Sequence, residues 1–73
     1  SERLADAMVM GLRLMQGVSA SQLRERFGID PYEHYAKEIF FCEQEGLLER
    51  NQDFLCLSRK GWFLSNQVLW HFV

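Results

Sequence analysis

The sequence predicts an α+β domain, mostly helical, and three observations predict it. Apolar residues recur at helical spacing through the first 16 positions. Two capping residues, Ser19 and Asp30, each follow a glycine and open a short helix. Two short apolar runs then flank Asn51, Gln52 and Asp53 in the manner of a β-hairpin. The composition agrees: of 73 residues, 48% are hydrophobic and 25% charged, a globular rather than a disordered balance. A chain of this length makes one domain and buries only roughly 60% of its unfolded surface. It is therefore marginal alone or supported by something else.

The first helix is expected over residues 1–16, with Leu4, Met8, Leu12 and Met15 on its core stripe and Gly17 as its stop. Ser19 and Gln22 have capping-box spacing, and Val18 and Leu23 the spacing of a hydrophobic staple. That second helix ends at Gly28, with Leu23 and Phe27 facing inward. Asp30 caps a third helix, and Pro31 takes the first helical position, where its missing N–H costs nothing. Tyr35, Ile39 and Cys42 form its inward stripe, widened by Ala36 and Phe40, and Gly46 ends it. Residues 47–50 and 54–57 read as strands, with Leu55 and Leu57 on one face and Phe54 and Cys56 on the other. Ser58 caps a last helix over residues 59 to about 72, with Trp62, Ser65, Leu69 and Phe72 on its stripe and Val68 beside it. Two capped helices followed by a hairpin and a closing helix give a winged-helix-like order, the second and third helices being the helix-turn-helix pair.

The charges oppose the usual use of that order. The third helix carries Glu33, Glu38, Glu43 and Glu45 against Lys37 alone, and the chain's formal charge is −2. Such a face repels phosphate, so nucleic acid is not an expected partner. No apolar run approaches the ~20 residues of a membrane span. Cys42 and Cys56 sit among apolar residues and read as reduced, buried thiols suited to a cytoplasmic setting. With His34 and His71 they complete the list of soft ligands, and no spacing among the four makes a metal site. No nucleophile–base set and no phosphate-cradling glycine motif is present, so catalytic, metal and cofactor-binding residues are expected to be absent.

Two features exceed what a small core needs. From Ala7 to Met15 only Gly11 and Arg13 are not apolar. With one stripe serving the domain, Ala7, Met10 and Leu14 remain as a docking surface, with Val9 nearby and methionines supplying an adaptable contact. Gly11 would admit a partner's backbone, and Arg13, on Asp6's face two turns on, would reach a carboxylate or carbonyl. The alternative is a central helix wrapped on all sides. The second feature is Ser58-Arg59-Lys60, where two cations and free N–H groups open a helix and form a candidate anion contact.

The run Met8-Val9-Met10-Gly11-Leu12-Arg13-Leu14-Met15-Gln16-Gly17-Val18 resembles the start of the C-terminal domain of oxygen-independent coproporphyrinogen III oxidase-like proteins. These are radical S-adenosylmethionine proteins, a group that includes haem chaperones. Phe27-Gly28, Glu45-Gly46-Leu47-Leu48, Leu57-Ser58 with Gly61, and Leu64-Ser65-Asn66 with Val68 and Phe72 continue the likeness in order. The family's tendency to Glu before the Met-rich run is met here by Asp6. The resemblance implies a parent, either an oxidoreductase or a non-catalytic haem chaperone, with a catalytic barrel on the N-terminal side. The parent's [4Fe-4S] cluster and S-adenosylmethionine would be held by a C-x-x-x-C-x-x-C motif absent from this sequence. The barrel is then the expected partner. The domain is an accessory piece of a longer protein, an expectation supported by a start without Met inside a helical pattern. If porphyrin or haem touches the domain, Arg13, Arg59 or Lys60 would meet its propionates, or His34 or His71 its iron. The rival is a free-standing winged-helix module that binds nucleic acid or protein.

Overall fold

The computed structural model describes residues 3–72. Ser1 and Glu2, the start of the expected first helix, lie outside the described residues. The chain runs α1 (Leu4–Leu12), β1 (Val18–Ser19), α2 (Ala20–Phe27), α3 (Pro31–His34), α4 (Ala36–Gln44), β2 (Leu48–Asn51), β3 (Phe54–Leu57), α5 (Arg59–Phe63) and α6 (Ser65–Trp70). This is an α+β domain, mostly helical, around a three-stranded antiparallel sheet of order β1-β3-β2.

The local signals produce the expected boundaries where the cause is local. The Ser19 hydroxyl accepts the Gln22 N–H at 3.3 Å, and the Asp30 carboxylate accepts the Tyr32 N–H at 2.9 Å. Ser58 Oγ accepts the Gly61 N–H at 3.0 Å. Gly28 ends α2 in the left-handed region at φ 69°, where a side chain would be strained. The hairpin pairs Leu48 with Leu57 and Asn51 with Phe54, which turns Leu55 and Leu57 inward and leaves Phe54 and Cys56 half-buried.

Three expected helices are shorter than the sequence suggests. The first ends at Leu12 rather than Gln16, because the chain turns through successive i→i+3 hydrogen bonds, Leu14 N to Gly11 O and Gly17 N to Leu14 O, to deliver Val18 to the sheet. Gly17, at φ 85°, lies so close to the Leu55 carbonyl that no side chain fits there. Val18 and Ser19 then pair with Leu55 and Phe54, making a strand that sequence reasoning missed. The third helix breaks at Tyr35 (φ −107°, ψ 29°) and the last at Leu64 (φ −109°, ψ 32°). The Tyr35 ring meets Phe72 edge-on at 5.1 Å, which ties the α3–α4 bend to the end of the chain.

The core gathers Met8, Leu12, Ile39, Leu55, Val68 and Phe72, all essentially inaccessible, with contributions from every layer. Four stripe assignments are corrected. Met15 lies beyond the shortened α1 and is exposed. Phe40 and Ala36 face solvent, since the bend at Tyr35 turns the buried side of α4 toward Ile39 and Cys42. Trp62 keeps 40% of its surface exposed rather than sitting in the core, since the break at Leu64 separates α5 from α6.

Candidate functional site

A groove of about 290 Å³ lies between the C-terminal half of α1 and α2. Ala7, Met10, Gly11 and Leu14 form its α1 wall, Val18 and Ser19 its base, and Gln22, Leu23 and Arg26 its α2 wall. Four of the five residues singled out for docking therefore line one hollow. Met10 and Leu14 stand at its edge, 66% and 60% exposed, and Met15 beyond them is 89% exposed. Ala7 differs from expectation: it is 6% exposed and belongs to the domain's own core. Arg13 is exposed outside the groove, and Asp6 faces Arg3 at 4.0 Å rather than Arg13.

Gly11 has a role inside the chain. A Cβ placed on it would overlap Val18 Cγ1, so the missing side chain admits Val18, not a partner's backbone.

Asp53 holds the α2 wall in place, and sequence reasoning gave it only a turn. Its carboxylate accepts hydrogen bonds from Ser19 Oγ, from Ser21 Oγ at 2.6 Å and from the Ser21 N–H at 3.1 Å. Its backbone carbonyl accepts the Ala20 N–H and the Tyr32 hydroxyl, both at 3.0 Å. The tip of the hairpin thus caps α2 from outside its own sequence neighbourhood and satisfies N–H groups that a helix leaves open. The donated bonds from Ser19 and Ser21 hold the carboxyl below the usual carboxylate range. Burial pushes the Tyr32 phenol up to about 12. Arg50 lies over the Tyr32 ring at 4.7 Å and donates from Nε to Glu43 at 2.7 Å, bracing the hairpin against α4. A Ser-x-Ser pair opening a helix was the one sequence cue that an acidic cap from elsewhere could fit.

The candidate anion contact is engaged within the fold. Ser58 Oγ donates to the Gly46 carbonyl at 2.5 Å while accepting from Gly61 N–H, and Lys60 Nζ donates to the Glu45 carbonyl at 3.1 Å. Both side chains close the end of α4, while Arg59 and Lys60 both remain exposed to solvent. The histidines are exposed on aromatic neighbours, His34 edge-on to Tyr35 at 4.7 Å and His71 tilted against Phe41 at 5.3 Å.

The residues present do not fit an iron–sulfur cluster, which needs clustered thiolates. Cys42 is fully buried, and burial pushes its thiol up, away from the thiolate form. Cys56 lies half-buried on the outer face of β3. Among the described residues, no group of three or more His, Cys, Asp or Glu could hold a metal ion. No helix is long and apolar enough to cross a membrane, among those same residues.

Compared with known families, residues 1–64 match the family model described as the HemN C-terminal domain. The matched segment covers the groove, the hairpin and α5, and ends at Leu64, where α5 gives way to α6. Neither a curated protein nor a solved structure gives a significant match to the chain.

Proposed function

The chain belongs to the HemN C-terminal domain family, and from that premise we propose that it serves as the accessory domain of a cytoplasmic radical S-adenosylmethionine parent in haem synthesis or haem delivery. In this reading it packs against the parent's catalytic barrel and helps close the substrate side. The observation that supports it best is the groove edge. Met10, Leu14 and Met15 form an exposed apolar edge beside the groove, and its two methionines can adapt to an opposing surface. The domain itself supplies no nucleophile, base or metal ligand set in this reading. Its contribution is shape and coverage: excluding water from a barrel's open end strengthens every electrostatic interaction inside. Porphyrin or haem is the ligand of the whole assembly, with Arg13 and Arg59 as the exposed cations that could meet propionates.

The decisive experiment removes residues 4–72 from the parent protein. The truncated parent is expected to assemble its cluster and bind S-adenosylmethionine normally while losing its porphyrin-dependent function. A truncated parent that handles porphyrin as well as the intact one refutes the reading.

A further inference from the structure

We infer that α2 is a hinged flap, which swings out from α1 about Gly28 to open the groove between them and is held shut by the tip of the hairpin through Asp53. The inference concerns a motion of this chain and holds whatever the groove receives.

Shallow burial is the first ground. Of the eight residues of α2, Ala20 and Leu23 are buried and Phe27 packs partly against the core; the other five are exposed. Across the groove, α1 buries Leu4, Ala7, Met8 and Leu12, with Met8 and Leu12 wholly inaccessible. A helix of two turns does not persist on its own hydrogen bonds, so α2 depends on its contacts with the rest of the fold. Elements with few buried apolar side chains open at a lower free energy than the whole domain unfolds.

The two ends of the helix are the second ground. At its start, Ser19 Oγ, Ser21 Oγ and the Ser21 N–H donate to the Asp53 carboxylate, and the Ala20 N–H donates to the Asp53 carbonyl. Four bonds from three successive residues thus converge on one residue of the hairpin turn, so they are made or lost together. At its end, Gly28 is exposed at φ 69°, and a side chain placed there would meet nothing within 4 Å. Beyond it lies a hollow of about 430 Å³ lined by Gly28, Ile29, Asp30, Glu33 and His34. Hinges are a few residues at the ends of elements that absorb a change in φ and ψ, and nothing packed on Gly28 opposes one here. A swing about that point draws Leu23 out of the core and widens the groove above Val18. The hairpin tip, distant in sequence, therefore sets how often the groove stands open.

Amide hydrogen exchange of the intact protein, read residue by residue by NMR, tests the flap. Amides 24–28 report on α2, and those of Ile39 and Leu55 report on the core. In the unaltered chain the α2 amides are expected to be on the order of tenfold less protected than the core amides and to respond weakly to low urea, because a local opening exposes little surface. Asp53→Ala is expected to lower α2 protection by about a further tenfold, the effect of losing a helix cap, and Asp53→Asn, which keeps one acceptor oxygen, by less. Ser58→Ala weakens a cap outside the flap; it is expected to lower the protection of Ile39 and Leu55 and to leave the α2 amides unchanged. If the α2 amides follow urea as steeply as the core, or fall with Ser58→Ala by the same factor, α2 opens only when the whole domain unfolds and the flap is overturned. This measurement on the unaltered chain decides even where Asp53→Ala fails to fold. A folded Asp53→Ala chain with unchanged α2 protection overturns the hairpin tip as what holds the flap.

Discussion

Replacing Gly11 with alanine sets two effects of opposite sign against each other, and the structure decides between them. Alanine favours a helix over glycine by about 1 kcal/mol in an interior position, and Gly11 is the next-to-last residue of α1, so only part of that gain applies. Against it, the new Cβ overlaps Val18 Cγ1 and stands 3.4 Å from Val18 Cβ. Val18 is buried, in a strand, and stiff at χ1, so it cannot rotate away. Overpacking of this kind costs roughly 1–3 kcal/mol, which leaves Gly11→Ala destabilising by about 1–2 kcal/mol. Val18→Ala removes the clashing methyl and costs about 2 kcal/mol by itself. In that background the alanine at position 11 meets only the remaining Cβ at ordinary contact, so the same substitution becomes neutral or mildly stabilising. The coupling between the two sites is thus about 2 kcal/mol, well above the ~0.5 kcal/mol scatter of independent sites. Urea unfolding of the four proteins of this cycle, followed by far-UV circular dichroism, measures it. Equal cost of Gly11→Ala in both backgrounds refutes the packing argument. A Gly11→Ala chain as stable as the parent sequence returns the glycine to a partner's backbone.

Further outcomes follow from the caps and charges. Ser58→Ala removes an N-cap and strands the Gly46 carbonyl; it is expected to cost about 2 kcal/mol, lowering Tm by roughly 10 °C, with Ser58→Asp recovering only the cap. Because the Asp53 carboxyl is held below its unfolded value, its contribution is complete above the usual carboxylate range and is lost as pH falls through the folded pKa. Asp53→Asn should therefore flatten the acid limb of a stability–pH profile, and an unchanged limb would count against the Asp53 cap on α2. Tyr32 behaves oppositely: its raised pKa makes folding stability fall as pH rises from 10 toward 12, and absorbance titration near 295 nm should show phenol ionisation above the usual midpoint. Duplex DNA is expected to leave fluorescence anisotropy unchanged at physiological salt; submicromolar binding would restore the nucleic-acid alternative.

What could be read from the sequence was what the chain decides locally. Ser19, Asp30 and Ser58 announce their helices because each bonds an N–H two or three residues on. The hairpin was legible because Leu55 and Leu57 alternate with half-buried neighbours. Met15 was misplaced because a stripe was continued through a helix that tertiary contacts had already ended, and Trp62 because its helix breaks at Leu64 before the rest of its stripe. β1 could not be read, since two residues become a strand only through β3, far along the chain. Gly11 and Met10 were picked out as surplus to a simple amphipathic helix, and the groove collects them. The other wall, Gln22 and Arg26, looked like an ordinary wet helix face. Asp53 was invisible as a cap because its partners are 32 and 34 residues away.

That separation also orders the folding of the domain. A hairpin with a two-residue turn closes in roughly 1–10 μs from contacts of its own. Joining its tip to Ser19 and Ser21 closes a loop of over 30 residues, whose entropy costs about 3 kcal/mol before the bonds return anything. The hairpin therefore zips first and locks late, and β1, the start of α2 and the turn at Asp53 form as one cooperative unit. The groove wall is absent from any intermediate in which only the hairpin and α4 have formed. A nascent chain emerging from the ribosome cannot present this groove until Asp53 has been made and folded back onto Ser19 and Ser21.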